Sequence, residues 1–316
     1  MKNYKIIPLA LIIQLAFFKL AMAQSDTLVQ VLEPGIISTG YNERDLALSP
    51  DGTEMFYTLL APRFVFSVLV HSRKINGQWT TPEVALFSGE YADMEPAFSP
   101  DGQKLYFVSR RPVQAEEVKQ DFDIWYVTKK NGTWSAPQHT GPELNSTADE
   151  FYPSVTQDGS IYFTAALAEN KGEEDIYKAQ FKHGEFEKPV NIGGGVNTAL
   201  DEFNAFVDPA ENYLLFSAVN GEGDNGRGDL YISFRNEQGE WGQPKNLGPS
   251  VNSPRLDYCP FVQHDTLYFT SERARPLYEV GKKINLREFK SRADSWGNGA
   301  GDIYSVRFSD VLKKLK

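Results

Sequence analysis

The sequence predicts an all-β protein, a single closed β-propeller of five four-stranded blades. A hairpin pattern, in which an apolar strand, a Pro-Asp-Gly turn and an aromatic strand follow one another, recurs in five copies or variants. The copies are spaced by about 50 to 57 residues, which is typical of propellers and other repeat architectures. Because one such sheet cannot bury both of its faces, only stacking in a ring creates a core.

The first two strands of each repeat, a and b, form the hairpin. It is clearest at residues 95–109, where Asp101 and Gly102 supply the backbone conformations that a tight turn needs. Variants lie at residues 47–58, 154–164, 206–217 and 261–271. The fourth copy reads Asp-Pro-Ala-Glu at residues 208–211, without the usual Gly, so we expect another turn type there.

The third strand, c, begins with an Asp and an aliphatic-aromatic pair, and the fourth, d, follows a Gly turn. The strand-c aspartates are Asp123, Asp175, Asp229 and Asp302. A proline lies three residues after each strand-d aromatic, at Pro82, Pro137, Pro189 and Pro244. Proline is tolerated in an outer strand because no neighbour needs its missing N–H.

The last repeat has no strand d of its own. We therefore expect the N-terminal segment, residues 28–31, to pair with the final strand c and close the ring. A six-bladed ring is the alternative, although it would need a blade without a sequence signature.

Residues 1–23 are predicted to be a signal peptide, which leaves residues 24–316 as one propeller domain. Lys2 and Lys5 precede an apolar run, and Ala21-Met22-Ala23 fits a signal-peptidase site. We expect an exported protein, periplasmic or secreted, with no membrane insertion after cleavage. The net charge of −10 argues against nucleic acid as a partner. Cys259, the only cysteine, is interpreted as a small buried residue.

The Ser-Pro-Asp-Gly hairpins, the aromatic strands and the Asp-Ile-Tyr strands resemble the WD-like repeats of the TolB propeller family over essentially the whole mature chain. This resemblance implies a propeller of the bacterial cell envelope that binds a protein or a glycan. TolB itself has an additional N-terminal domain and six blades, and neither is visible in this sequence. No TolB-specific partner is therefore implied.

One acidic residue recurs in every repeat, three positions before the sites aligned with Pro96, Pro153 and Pro260. The five acids are Glu43, Asp93, Glu150, Glu202 and Asp257. We expect them to ring the upper mouth of the channel, where the upper face carries the d–a and b–c connections and the lower face carries the turns. Each acid either caps its own loop and pairs with a neighbouring blade, or helps to bind a cation, a sugar or a peptide amine.

The long b–c connections add three further candidate ligand-binding residues, Arg110, Arg273 and Trp296. The favoured hypothesis is a non-enzymatic module that binds an envelope protein or glycan across the upper face, largely through the blade-five connection, residues 272–301. That connection also carries Arg275, Tyr278, Lys282, Lys283 and Arg287. We expect a monomer without a cofactor and keep a bound cation such as calcium as an alternative.

The alternative function is a five-bladed glycoside hydrolase or lyase that uses Glu43, Asp93 and Glu150. Acid–base catalysis needs two carboxyl groups with different pKa values. A motif repeated in every blade does not supply that difference. We therefore assign no catalytic residue, and the four separated histidines give no metal-ligand spacing.

Overall fold

A computed structural model describes residues 29–114, 119–276 and 279–315 as small antiparallel sheets arranged in a five-bladed β-propeller. The predicted fold class and blade number are confirmed. The predicted signal peptide, Leu28 and Tyr278 lie outside the described residues.

Each of the first four blades is formed by one repeat, with its strands in chain order from the axis outward. Blade one contains β2 (Asn42–Leu48), β3 (Glu54–Leu60), β4 (Ser67–Ile75), β5 (Gln78–Trp79) and β6 (Glu83–Val84). Blade two contains β7 (Asp93–Phe98), β8 (Lys104–Ser109), β9 (Asp123–Lys130), β10 (Thr133–Trp134) and β11 (Gln138–His139). Blade three contains β12 (Glu150–Val155), β13 (Ile161–Ala165), β14 (Asp175–Ala179), β15 (Phe181–Lys182), β16 (Glu185–Phe186) and β17 (Val190–Asn191). Blade four contains β18 (Asp201–Val207), β19 (Tyr213–Val219), β20 (Asp229–Phe234) and β21 (Lys245–Asn246).

Blade five joins the two ends of the described polypeptide. Its strands are β22 (Asp257–Gln263), β23 (Thr266–Ser271), β24 (Asp302–Arg307) and, outermost, β1 (Gln30–Val31). Gln30 lies opposite Ser305 and Val31 opposite Tyr304. The predicted closure of the ring is therefore confirmed over the described part of that segment.

Two α-helices belong to the last blade. Helix α1 (Leu286–Ala293) lies in the blade-five b–c connection, and helix α2 (Phe308–Lys314) follows β24. Phe308 and Val311 of α2 pack into the apolar core between blades four and five. A short 3₁₀ helix, Pro62–Phe64, lies in the b–c connection of blade one.

The outer strand is interrupted instead of continuous. In blade one, β5 and β6 both pair with β4, and Pro82 lies between them. Pro137 and Pro189 likewise lie just before β11 and β17. Proline therefore occupies the gap in the ladder, where no N–H is needed.

The turn of the fourth repeat is of the same kind as the others, so the expected different type is wrong. Glu211 adopts a φ of 58°, close to the 69° of Gly52, and its N–H donates to the Asp208 carbonyl at 2.6 Å. A non-glycine residue costs about 1 kcal/mol in this conformation. The Glu211 carboxylate pairs with Lys178 at 2.6 Å and Arg235 at 3.0 Å, which offsets that cost.

The apolar core is divided among the spaces between adjacent blades. Phe56 of blade one, for example, packs with Leu105 and Phe107 of blade two, and all three are fully buried. The aromatic strands b supply most of the large side chains. Stacking of neighbouring sheets thus forms the core, as the repeat pattern predicts.

Candidate functional site

The five predicted acids all lie at the upper ends of the innermost strands, and all are between 0 and 2% exposed. Each carboxylate except that of Asp93 accepts a backbone N–H from the residue four positions earlier. The loop donors are Thr39 for Glu43, Ser146 for Glu150, Thr198 for Glu202 and Ser253 for Asp257. Asp93 instead accepts the hydroxyl protons of Ser88 at 2.7 Å and Ser109 at 2.5 Å. Each acid thus binds its own d–a loop, and ligand binding by the five stays a prediction.

Arginines reach two of these acids from within the same blade. Arg111 lies 2.7 Å from Asp93, and Arg273 lies 2.8 Å from Asp257. Arg111 is the counterpart of Arg273 because each stands two residues after a strand-b serine. Arg110 is exposed instead, and its guanidinium lies 4.3 Å from the centre of the Phe122 ring. The predicted contact between Arg110 and the acids is not formed.

An asparagine just before the loop donor is a repeated element that was not predicted from the sequence. In three repeats its side-chain amide bonds both backbone groups of one strand-c residue. The pairs are Asn145 with Ile124, Asn197 with Ile176 and Asn252 with Leu230. Ser38 does the same for Ile303 in blade five. The signal was readable as an aliphatic residue, Asn, and Ser or Thr four positions before the acid.

Buried carboxyl groups also meet at the junctions between blades. Asp123 of blade two and Glu150 of blade three are each 1% exposed, and the Glu150 N–H donates to the Phe122 carbonyl at 2.9 Å. Glu150 Oε2 and Asp123 Oδ1 are buried and have no hydrogen-bond partner among the described residues. Burial, and secondarily the nearby Asp123, raises the pKa of Glu150 to about 8.

The same pairing recurs at two other junctions. Burial raises the pKa of Glu43 to about 7, with a smaller contribution from Asp302. Burial likewise raises the pKa of Glu202, with a contribution from Asp175. The junction between blades one and two lacks an acid pair because Val68 occupies the strand-c position, and Asp93 is bound to Arg111 instead.

A polar cluster closes the middle of the channel. Every innermost strand has a β-bulge with one residue at a φ between 51° and 60°: Asp45, Glu95, Tyr152, Asn204 and Cys259. A bulge redirects the side chain, here toward the axis. All five side chains are buried and are joined by hydrogen bonds across the ring.

Arg44 supplies the positive charge of this axial cluster. Its guanidinium lies 2.7 Å from Asp45 and 2.9 Å from Glu95. The Cys259 thiol donates to Asp45 Oδ1 at 2.7 Å, and burial raises the pKa of that thiol well above its ordinary value. Cys259 is buried as predicted, but it belongs to a hydrogen-bond network. Neither Arg44 nor this cluster was predicted from the sequence.

A cavity of about 310 Å³ lies on the axis at the lower face. It is lined by the second halves of innermost strands and by the turns that follow them, including Pro96, Pro153, Phe206 and Phe261. Tyr152 lines the cavity and also belongs to the axial cluster, so it separates the cavity from the upper half of the channel. From the sequence, this face was expected to be scaffold alone.

The upper face carries the long blade-five connection. Trp296 is half-buried there, and the Arg275 guanidinium stacks on it at 4.3 Å from the ring centre. Asn298 donates to the Gly40 carbonyl at 3.0 Å, which fastens the connection to the d–a loop that leads into blade one. In the described residues, no group of three His, Cys, Asp or Glu side chains is arranged to hold a metal ion.

Neither a protein-family model nor a curated protein sequence matches the chain. Solved structures do resemble it. One is a complex of BT0996 with RGII, with a TM-score of 0.55 and 9% identity over 92% of this protein and 95% of that one. Another is TolB from Acinetobacter baumannii, with a TM-score of 0.45 and 12% identity over 84% of this protein. The chain spans 54% of the length of that TolB.

A third similar structure is the alpha-L-arabinofuranosidase from Lactobacillus brevis, with a TM-score of 0.48 and 11% identity over 86% of this protein and 92% of that one. The neighbours thus include both TolB and glycoside hydrolases. At these identities the likeness shows the propeller fold alone. Separately, none of the helices in the described ranges is long and apolar enough to span a bilayer.

Proposed function

We propose that the protein is an exported, non-enzymatic propeller of the TolB-like repeat type that binds an envelope protein or glycan through its upper face. The observation that supports this is α1, a helix of eight residues with no buried side chain. Leu286 is 69% and Phe289 is 52% exposed. Residues three apart lie on the same side of a helix, and exposed apolar groups of this kind mark interaction sites.

The charge of α1 suggests the chemistry of the partner. Arg287, Lys290 and Arg292 stand on this helix with Glu288 as its one acid, although the protein as a whole carries a net charge of −10. A locally basic, apolar surface on an acidic protein favours an anionic partner with accessible apolar groups. A periplasmic or secreted location and a monomeric state are parts of the same proposal.

Capture from a cell-envelope extract, together with a glycan array, tests the proposal. Replacing Leu286 and Phe289 by Ser should weaken capture at least about tenfold, because exposed aromatic and apolar anchors dominate interface energies. The melting temperature should stay within about 2 °C, since neither side chain is buried. Val190→Ser is the matched control, because Val190 is 66% exposed on blade three. Undiminished capture by the double variant would remove α1 from the interface.

The second candidate is a glycoside hydrolase or lyase. One observation favours it: Glu150 has a pKa raised to about 8, as a general acid requires. However, Glu43, Asp93 and Glu150 are at most 1% exposed and are engaged by their own loops. A sugar would have to displace those loops to reach them, so binding is the favoured function. Glycan turnover that Glu150→Gln abolishes would reverse this order.

A further inference from the structure

The lower-face cavity differs in chemistry from the upper half of the channel. None of the described residues that line it is Asp, Glu, Lys or Arg, and apart from Tyr152 its only titratable group is His264 at the rim. The upper half of the channel, in contrast, contains Arg44, Asp45 and Glu95. A charged ligand would therefore lose its hydration in the cavity without gaining an opposite charge.

The wall is rigid as well as apolar. Pro96 and Pro153 both line it directly after a bulge residue, and proline removes the N–H that another residue would carry there. Phe206 and Phe261 of neighbouring blades meet edge to face, with ring centres 5.5 Å apart. A site built of fixed strands and rings needs little rearrangement to accept a ligand.

The size of the cavity limits what can enter. Its volume of about 310 Å³ is at the lower end of the range for small-molecule sites, roughly 300–1,000 Å³. The inner end is closed because the Tyr152 hydroxyl donates to the Pro260 carbonyl at 3.0 Å, across the axis. The outer end lies among the turns, where Gln157 is exposed. The cavity is therefore a blind pocket that a compact molecule can enter from the lower face.

We propose that this axial pocket is a second binding site, for a small, neutral, mostly apolar molecule of about the size of one or two fused rings. The site lies on the face opposite α1 and goes beyond the proposed function. Loss of partner capture and loss of this binding are therefore separable outcomes.

Isothermal titration with indole tests the pocket, with indole-3-acetate as the charged analogue of the same ring. Indole should bind one site per protein molecule with a Kd below about 1 mM. Indole-3-acetate should bind at least about tenfold more weakly, because its carboxylate finds no cation in the wall. Equal affinities, or no heat from indole up to several times that concentration, would overturn the proposal.

Two variants locate the binding. Ala97→Phe fills the half-buried wall of the pocket, and Gln157→Trp covers its mouth from an exposed position. Each should lower indole affinity at least about tenfold. Gln157→Trp serves where Ala97→Phe disturbs folding, because the Gln157 side chain is outside the core. The Leu286 and Phe289 double variant is the control and should bind indole as the unaltered protein does. Unchanged binding by Gln157→Trp would place indole elsewhere and refute the assignment.

Discussion

Replacing Glu150 by Gln should remove one defined part of the pH dependence of stability. Burial raises the pKa of this carboxyl from 4.5 to about 8, so between those values the folded protein holds a proton that the unfolded chain has released. The free energy of unfolding must then fall as the pH rises, by up to about 1.4 kcal/mol per pH unit. Between pH 5 and pH 7 this one group accounts for a loss of about 2–3 kcal/mol.

Glutamine has nearly the shape of the protonated acid and cannot ionise. Its Nε2 can donate toward Asp123 Oδ1, the buried oxygen that lacks a partner among the described residues, while its Oε1 keeps the bond from the Ser146 N–H. We therefore expect Glu150→Gln to change stability little at pH 5 and to stabilise the protein by about 2–3 kcal/mol at pH 7, relative to the unaltered protein. Above pH 8 the difference should become constant.

Urea unfolding followed by tryptophan fluorescence, at half-unit steps from pH 4.5 to pH 9, measures this difference curve. Asp93→Asn is the control, because Asp93 faces Val68 across its junction and is bound to Arg111. It should destabilise the protein at every pH, since it leaves a buried guanidinium without its carboxylate. Parallel curves for Glu150→Gln and the unaltered protein would refute the assignment of a shared proton to this junction.

Three further perturbations test the scaffold. Glu211→Ala loses the ion pairs and keeps the left-handed backbone, whereas Glu211→Gly relieves it, so calorimetry should find the Gly variant more stable by about 1 kcal/mol; equal stabilities would contradict the backbone argument. Asn197→Ala leaves both backbone groups of Ile176 buried and unpaired, and urea unfolding should show a loss of about 2–4 kcal/mol; a loss below about 1 kcal/mol would mean that water replaces the amide. Val31→Asp should open the ring and cost about 3 kcal/mol, while Gln30→Asp at the exposed neighbouring position should cost less than about 0.5 kcal/mol; similar values for both would show that β1 does not hold the ring closed.

The fold could be predicted because each repeat states the same local rule. Asp-Gly turns, alternating aromatic strands and the missing last strand d predicted five blades and the closing role of residues 28–31. The fourth turn was misjudged since a glycine requirement was assumed, whereas long-range pairs with Lys178 and Arg235 hold Glu211 in the same conformation. Such pairs join residues far apart in sequence and leave no mark on the local pattern.

The candidate site was less predictable for a related reason. The recurring acids could be found because their positions are periodic, but their burial depends on loop donors such as Ser146 and Thr198 folding back onto them. The axial cluster breaks the periodicity, because five different residues stand at one repeated bulge. Likeness among repeats gives no signal at a position where the repeats differ. The roles of Arg44 and Cys259 in the cluster were missed on that ground.

The pairing of Gln30 with Ser305 has a consequence for the order of events during folding. The first described strand finds its partner only after nearly the entire polypeptide is available, so closing that loop is a contact of very long range and comes late. Until then, blade five presents an unpaired outer edge on β24. A polypeptide interrupted before Asp302 would leave β1 with no strand to join, and four complete blades would remain an open arc.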